Sequence, residues 1–321
     1  MRRRVILGAL SAGALGASAA AQNVGGRRRV SVLTPADAQW DGPAFIGELR
    51  RLGLRPGDNL ALDVRTAEGD LRRLPDLARQ AIAAGVEVIV AVNTPSAQAA
   101  IQAGGTQPIV AVGIADPVLL GLVSNFARPG GRLTGVANMA GDIAAKRLEI
   151  LKETIPSARR VTALHHPDEP IGPPQIRDLS QAAPRLGIEM KFLSVRTLAD
   201  MEQAMSQIVA WPADAILRLA GQGATLDADL SRLGLRYRLP TMALTSAGVR
   251  LGALLSYFAD QTLLWRRAAH QVVRILSGDR PGDLPFERPT RFELAINLAT
   301  SKALGIIIPP SILLRADEVI E

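Results

Sequence analysis

The chain has 321 residues, 48% apolar and 21% charged, a globular balance that excludes a disordered protein and leaves room for one large domain or two ordinary ones. It has no cysteine, which excludes disulfides, thiolate-held zinc or iron–sulfur centres and a thiolate nucleophile. Its net charge of +7 (37 basic, 30 acidic residues) includes no basic stripe interleaved with aromatics, so a nucleic-acid partner is not expected. The first segment, MRRRVILGALSAGALGASAAAQ, has a basic head, a short apolar middle and small residues before Gln22. It reads as a secretory signal over 1–21, cleaved near Ala21, and falls short of the roughly 20 apolar residues of a membrane span. Arg2-Arg3 also permits a twin-arginine route. Without this segment the net charge falls to +4, and Arg27–Arg29 is a short solvated cluster at the new end.

Past the signal, apolar runs alternate with stretches at helical spacing. Val30–Leu33, Leu60–Arg65, Val86–Val92 and Pro108–Ile114 read as strands; Pro43–Leu52, Leu71–Ala84 and Ser96–Ala103 read as helices. Strands this apolar belong in a parallel sheet covered by helices on both faces. After a strand at Leu133–Asn138 a new series begins at Gly141. Helices are expected at Ile143–Thr154, Ile176–Leu186, Leu198–Val209 and Leu226–Tyr237, and strands at Arg160–His165, Glu189–Val195, Ala215–Leu219 and Thr241–Leu244. Leu254–Phe258, a helix at Gln261–Leu276 and a strand at Phe292–Leu298 finish the chain. The expected fold class is α/β, with two Rossmann-like lobes and a ligand cleft beyond the carboxyl ends of the strands.

The loops at those ends are polar: Thr34-Pro35-Ala36-Asp37, Asn93-Thr94-Pro95-Ser96, Ala115-Asp116-Pro117, His166-Pro167-Asp168, Ala220-Gly221-Gln222 and Thr245-Ser246. Thr94 opens a helix whose free N–H groups suit a carboxylate, or it is an ordinary cap. Asp116 before Pro117 is a helix cap that can also hold a solute. His165 and His166 point to opposite faces, so only one can reach a cleft, and a metal would need ligands from elsewhere. Tyr257 and Trp40 stand out because the chain has only 6 Phe, 3 Trp and 2 Tyr; either stacks on a ligand or packs. Gly221-Gln222-Gly223 begins like a dinucleotide fingerprint, but Leu226 occupies the third glycine position. No phosphate-binding loop and no nucleophile elbow is present.

Four segments carry a resemblance: VAVNTPSAQAA, VGIADPVLLGLVSNFARPGGRLTGV, KRLEILKETIP and the C-terminal GDRPGDLPFERPTRFELAINLATSKALGIIIPPSILLRADEVIE. Together they resemble the ABC-transporter substrate-binding proteins of the type I periplasmic fold, in the group with a DPV…GLV…ARPGGNxTG motif, over Arg28 to Glu321. The resemblance implies a periplasmic, monomeric receptor that is not an enzyme, needs no cofactor or metal, and delivers a small solute to a membrane permease. Amino acids, aromatic ones included, are the solutes associated with better-known members. The family's loop residues fall on Thr94–Ala97, Asp116-Pro117 and Ser256-Tyr257-Phe258. This chain departs from the pattern at His165-His166-Pro167, Phe258 and Arg132, so the solute does not transfer with the family.

The expected ligand-binding residues are Thr34, Asp37, Asn93, Thr94, Ser96, Asp116, His166, Gln222, Ser246 and Tyr257. Lobe 1 is expected over 28–137 and 256–284, and lobe 2 over 138–255 and 285–321, joined by a three-strand hinge. A ligand-sensing regulatory domain of the same fold is the first alternative, disfavoured by a signal where a DNA-binding helix-turn-helix would stand. A secreted α/β enzyme is the second, and it would need His166 and Asp116 as an acid–base pair.

Overall fold

The computed structural model describes residues 26–36, 40–221 and 224–321. The expected signal at 1–21, Asp37 and Gln222 lie outside the described residues. Strands β1 (Arg28–Thr34), β2 (Leu60–Thr66), β3 (Val88–Val92), β4 (Ile109–Ile114) and β5 (Leu133–Ala137) form an all-parallel sheet in the order β2-β1-β3-β4-β5. Helices α1 (Gly42–Arg51), α2 (Leu74–Ala83) and α3 (Asn93–Gln102) connect its strands. Alternation sorts the side chains to two faces: Val88, Val90 and Val92 enter one core, Ile89 and Ala91 the other. Both faces are therefore covered, as the unbroken apolar runs require.

Helices α4 (Ala144–Thr154), α5 (Gly172–Ala182), α6 (Leu198–Ala210), α7 (Ala224–Arg236) and α8 (Ser246–Arg250) alternate with strands β6 (Arg160–His165), β7 (Glu189–Ser194), β8 (Ala215–Arg218), β9 (Thr241–Ala243) and β10 (Leu255–Ala259). After α9 (Gln261–Leu276) come β11 (Phe292–Asn297), α10 (Leu298–Leu304), α11 (Pro310–Leu313) and β12 (Glu318–Ile320). The second sheet has seven strands in the order β12-β11-β10-β9-β8-β6-β7, and only β10 and β11 run antiparallel. Again the faces separate: Ala215 and Leu217 enter one core and Ile216 the other.

The chain passes between the lobes three times. It leaves the first sheet after β5, returns from β10 to α9, and leaves again through 284–291. Strand β10, assigned by sequence to lobe 1, is hydrogen-bonded on both edges within the seven-stranded sheet. Helix α9 instead covers the first sheet, where Trp265, Ala268 and Val272 join Phe45 and Leu49 in its core. Of these, Val272, Phe45 and Leu49, fully removed from water, each stabilise the fold by roughly 1.5–3 kcal/mol.

Local chemistry sets the boundaries. Asp260 caps α9 through Leu263 N at 2.9 Å, and Asp41 caps α1 through Ala44 N at 3.1 Å. Thr197 and Asp200 form a reciprocal capping box at α6. The Arg-Pro-Gly-Gly turn is tied to the far end of the chain: Gly130 N donates to Gly282 O at 3.1 Å, and a Cβ on Gly282 would lie 2.9 Å from Gly130 C. Two separate glycine turns thus pack backbone to backbone.

Candidate functional site

A cavity of about 670 Å³ lies between the lobes, beyond the carboxyl ends of the strands. This volume falls within the roughly 300–1,000 Å³ of small-molecule sites. On the first lobe its wall is formed by Trp40, Asp41, Asn93, Thr94 and Gly113. Trp40 packs edge-on against Trp265 at 4.9 Å and Phe45 at 5.5 Å, so three of the chain's few aromatics meet here. Between the lobes, the Asn138 side-chain Nδ2 donates to Gly113 O, while Asn138 Oδ1 accepts from Ala140 N at 2.9 Å. Those bonds fix the first crossing against β4.

Asn93 starts α3 in the left-handed region, at φ 61°, which Asn tolerates better than most residues. Val92 stands at the N-cap, so no side chain caps this helix. The N–H groups of its first turn are therefore not satisfied by a cap at the end that meets the cavity. Sequence reasoning offers Thr94 as that cap. Because α3 begins two residues earlier than a cap at Thr94 would set it, Thr94 lies inside the first turn and its Oγ1 accepts from Ala115 N at 3.4 Å.

The second-lobe wall contains Glu169, Ile171, Gly221, Asp227, Thr245 and Ser246. Glu169 and Asp227 are 4% and 5% exposed. Behind Asp227 lie two buried guanidiniums. Arg147 on α4 donates to Arg218 O at 2.7 Å and Ala243 O at 2.8 Å, and Arg218 Nε sits 3.5 Å from Asp227 Oδ1. Burial pulls the Arg147 pKa down to about 9, with Asp227 opposing the shift. Burial likewise raises the Asp227 carboxyl, and the two arginines draw it back. Ile171, Ala220 and Leu244 of the second lobe share an apolar cluster with Val92, Val112 and Ala115 of the first, so the lobes are in contact around the cavity.

Of the expected residues, Asn93, Thr94 and Ser246 line this cavity. Thr34 is buried beneath it and donates to Ala36 O at 2.8 Å; Ser96 is buried, with an Oγ that has no hydrogen-bond partner. Asp116 is not among the lining residues. Its Oδ1 accepts from Val118 N at 2.8 Å and Leu119 N at 2.9 Å, capping a short turn. The helix expected after it does not form, because Gly121 adopts φ 67° and the chain turns away. His166 also lies off the cavity wall, accepting from Asp168 N at 3.3 Å, so it forms no acid–base pair with Asp116 there. Tyr257 stacks on Phe292 at 5.6 Å, while its strand neighbours Ser256 and Phe258 face the cavity. Period-two alternation places Tyr257 on the opposite face. Among the described residues, no group of three or more acidic or histidine side chains could hold a metal.

Sequence reasoning missed the charged layer, although two signals mark it. Arg218 interrupts the apolar strand Ala215–Leu219, and Arg147 occupies the apolar stripe of α4 with Ala144, Leu148 and Leu151. A charge at a core position of either pattern is an anomaly that demands a partner.

Two α/β lobes enclosing a mixed polar and aromatic cavity define a two-lobed ligand-binding protein. A family model described as ABC transporter substrate binding protein matches residues 36–320, and the chain belongs to that family, with the type I periplasmic binding fold. The tyrosine-binding protein of Clostridioides difficile (strain R20291) is 27% identical over 268 residues, 82% of this chain and 75% of that one. A conserved domain protein of Vibrio cholerae O1 biovar eltor str. N16961 is 27% identical, with a TM-score of 0.83 and coverage of 91% and 99%. An ABC domain from Streptococcus pneumonia solved with L-Trp is 24% identical, with a TM-score of 0.84 and coverage of 92% and 100%. At that identity the last likeness shows the fold alone. These relatives are solute-binding proteins where their function is stated.

Proposed function

We propose that the chain is the exported receptor of an ABC import system, capturing an amino-acid-like solute between its lobes and handing it to a membrane permease. The enclosed cavity carries this reading: it offers a solute an uncapped helix N-terminus at Asn93–Thr94 and an aromatic surface at Trp40. A carboxylate suits the first, through the first turn of a helix that no side chain caps and through the helix dipole, and an apolar or aromatic side chain suits the second. The tyrosine in the description of the Clostridioides difficile relative supports the same solute class.

In mechanism, the solute docks on the first lobe, and contacts from the second favour the closed arrangement. Affinity then reflects how much better the closed state holds the solute than the open one. The hinge of this motion is the set of three crossings, at 138–143, at Asp260 and at 284–291. Among the described residues no helix is long and apolar enough to cross a membrane. Export by the segment 1–21 predicts a mature chain beginning at Gln22, checked by mass spectrometry of the secreted protein.

The central test is titration calorimetry and thermal denaturation with L-tyrosine, L-tryptophan and a panel of other solutes. A bound solute at 100 times its Kd raises stability by about 2.7 kcal/mol. If sugars or nucleosides stabilise the protein and no amino acid does, the solute class is wrong; if turnover of a solute is detected, the receptor reading is wrong.

A further inference from the structure

The buried charges of the second lobe are arranged as a layer. Asp227 lines the cavity, as does Glu169; Arg218 and Arg147 lie behind, absent from the lining and 2% and 1% exposed. A buried ion network is a poor way to stabilise a fold, because desolvation offsets its attraction and apolar packing does as well. Perturbed, buried charges at a cleft are more often functional. Here the two guanidiniums act on different groups. Arg147 spends both Nη atoms on strand-end carbonyls, while Arg218 Nε reaches Asp227 Oδ1 only at 3.5 Å, and Oδ1 makes no hydrogen bond. A carboxylate has about four acceptor positions, so Asp227 retains capacity for a donor from the cavity. The two arginines that line the cavity are engaged elsewhere: Arg250 with Glu318 at 2.8 and 2.7 Å, Arg291 with Asp317 at 3.0 Å. A cationic donor brought by the solute fits that acceptor.

We propose that Asp227 accepts the protonated amine of the solute, with the buried guanidiniums of Arg218 and Arg147 behind it. The assignment rests on solute capture by the cavity and narrows its class to solutes bearing a cationic amine at the second-lobe end. It also gives closure a driving contact. A solute seated on the first lobe reaches Asp227 only when the second lobe comes down, so the ion pair belongs to the closed state.

The test compares L-tyrosine and L-tryptophan with their deaminated aryl-propionate analogues, by calorimetry on the wild type, Asp227→Asn and Asp227→Asn/Arg218→Met. The double variant removes the guanidinium that the single one leaves 3.5 Å from a missing carboxylate, and circular dichroism selects the folded variant for the comparison. Wild type should prefer each amino acid over its analogue by about 30-fold or more, the loss expected when a desolvated charge pair is broken. Either variant should erase that preference while holding the analogue within about threefold of its wild-type affinity. A merely structural Asp227 would weaken both ligands alike, and that result overturns the assignment. Equal binding of amino acid and analogue by wild type also overturns it, leaving solute capture intact. If neither compound type binds wild type, the amino-acid reading and the assignment fall together.

Discussion

The two walls of the cavity are built on different principles. The first-lobe wall is made of backbone and packing: an uncapped helix start, a left-handed Asn93, the close pairing of β4 with β5, and edge-on aromatics. The second-lobe wall is made of charge, with two buried carboxylates, Glu169 and Asp227, at the cavity and two buried guanidiniums behind. A wall of the first kind is set when its strands fold and needs no partner. The second kind carries a desolvation cost that a ligand can relieve, so it can respond to one.

The largest expected effect is on the charged wall. Asp227→Ala leaves Arg147 and Arg218 buried without their carboxylate and should lower unfolding free energy by about 3–5 kcal/mol in urea denaturation. A loss below about 1 kcal/mol would mean that water already solvates the guanidiniums, and the contrast between the walls would dissolve. On the backbone-built wall, Gly135→Ala should cost about 1–3 kcal/mol or more by overpacking. A Cβ there would sit 2.1 Å from Ala111 O, so β5 has to move off β4. An unchanged melting temperature would show that this pairing is looser than its geometry. A smaller effect is expected at Asn93→Ala, about 1–2 kcal/mol, because alanine is strained at φ 61°; Asn93→Gly, free of that strain, should cost less.

The same contrast explains how much the sequence discloses. Strand runs such as Val86–Val92 and the helix at Gln261–Leu276 are legible because period and apolarity are local, and they place Asn93, Thr94 and Ser246 at strand ends that meet the cavity. Asp116 and Tyr257 share the same kind of position. One caps a turn outside the lining, however, and the other alternates to the far face, outcomes fixed by Gly121 and by strand register. Glu169, Asp227, Arg147 and Arg218 come from four separate elements, and their meeting depends on the order of β6, β8 and β9 in the sheet. Only the misplaced arginines announce them in advance.

The smallest prediction concerns the histidines beside that layer. Burial lowers the pKa of His165 and of His166, and the Arg218 charge lowers both further. In the unfolded chain they titrate near 6.5, so between their folded pKa values and about 6.5 the unfolded state binds more protons. Stability is then full above pH 6.5 and declines as the solution is acidified through that window, levelling below the folded values. Denaturation midpoints measured across this range should show the slope, and His165→Asn/His166→Asn should flatten it. Arg218→Met separates the causes. Removing the guanidinium should move both folded pKa values toward 6.5 and narrow the window, whereas an unchanged slope would assign the shift to burial alone and confine the influence of the charged layer to the cavity.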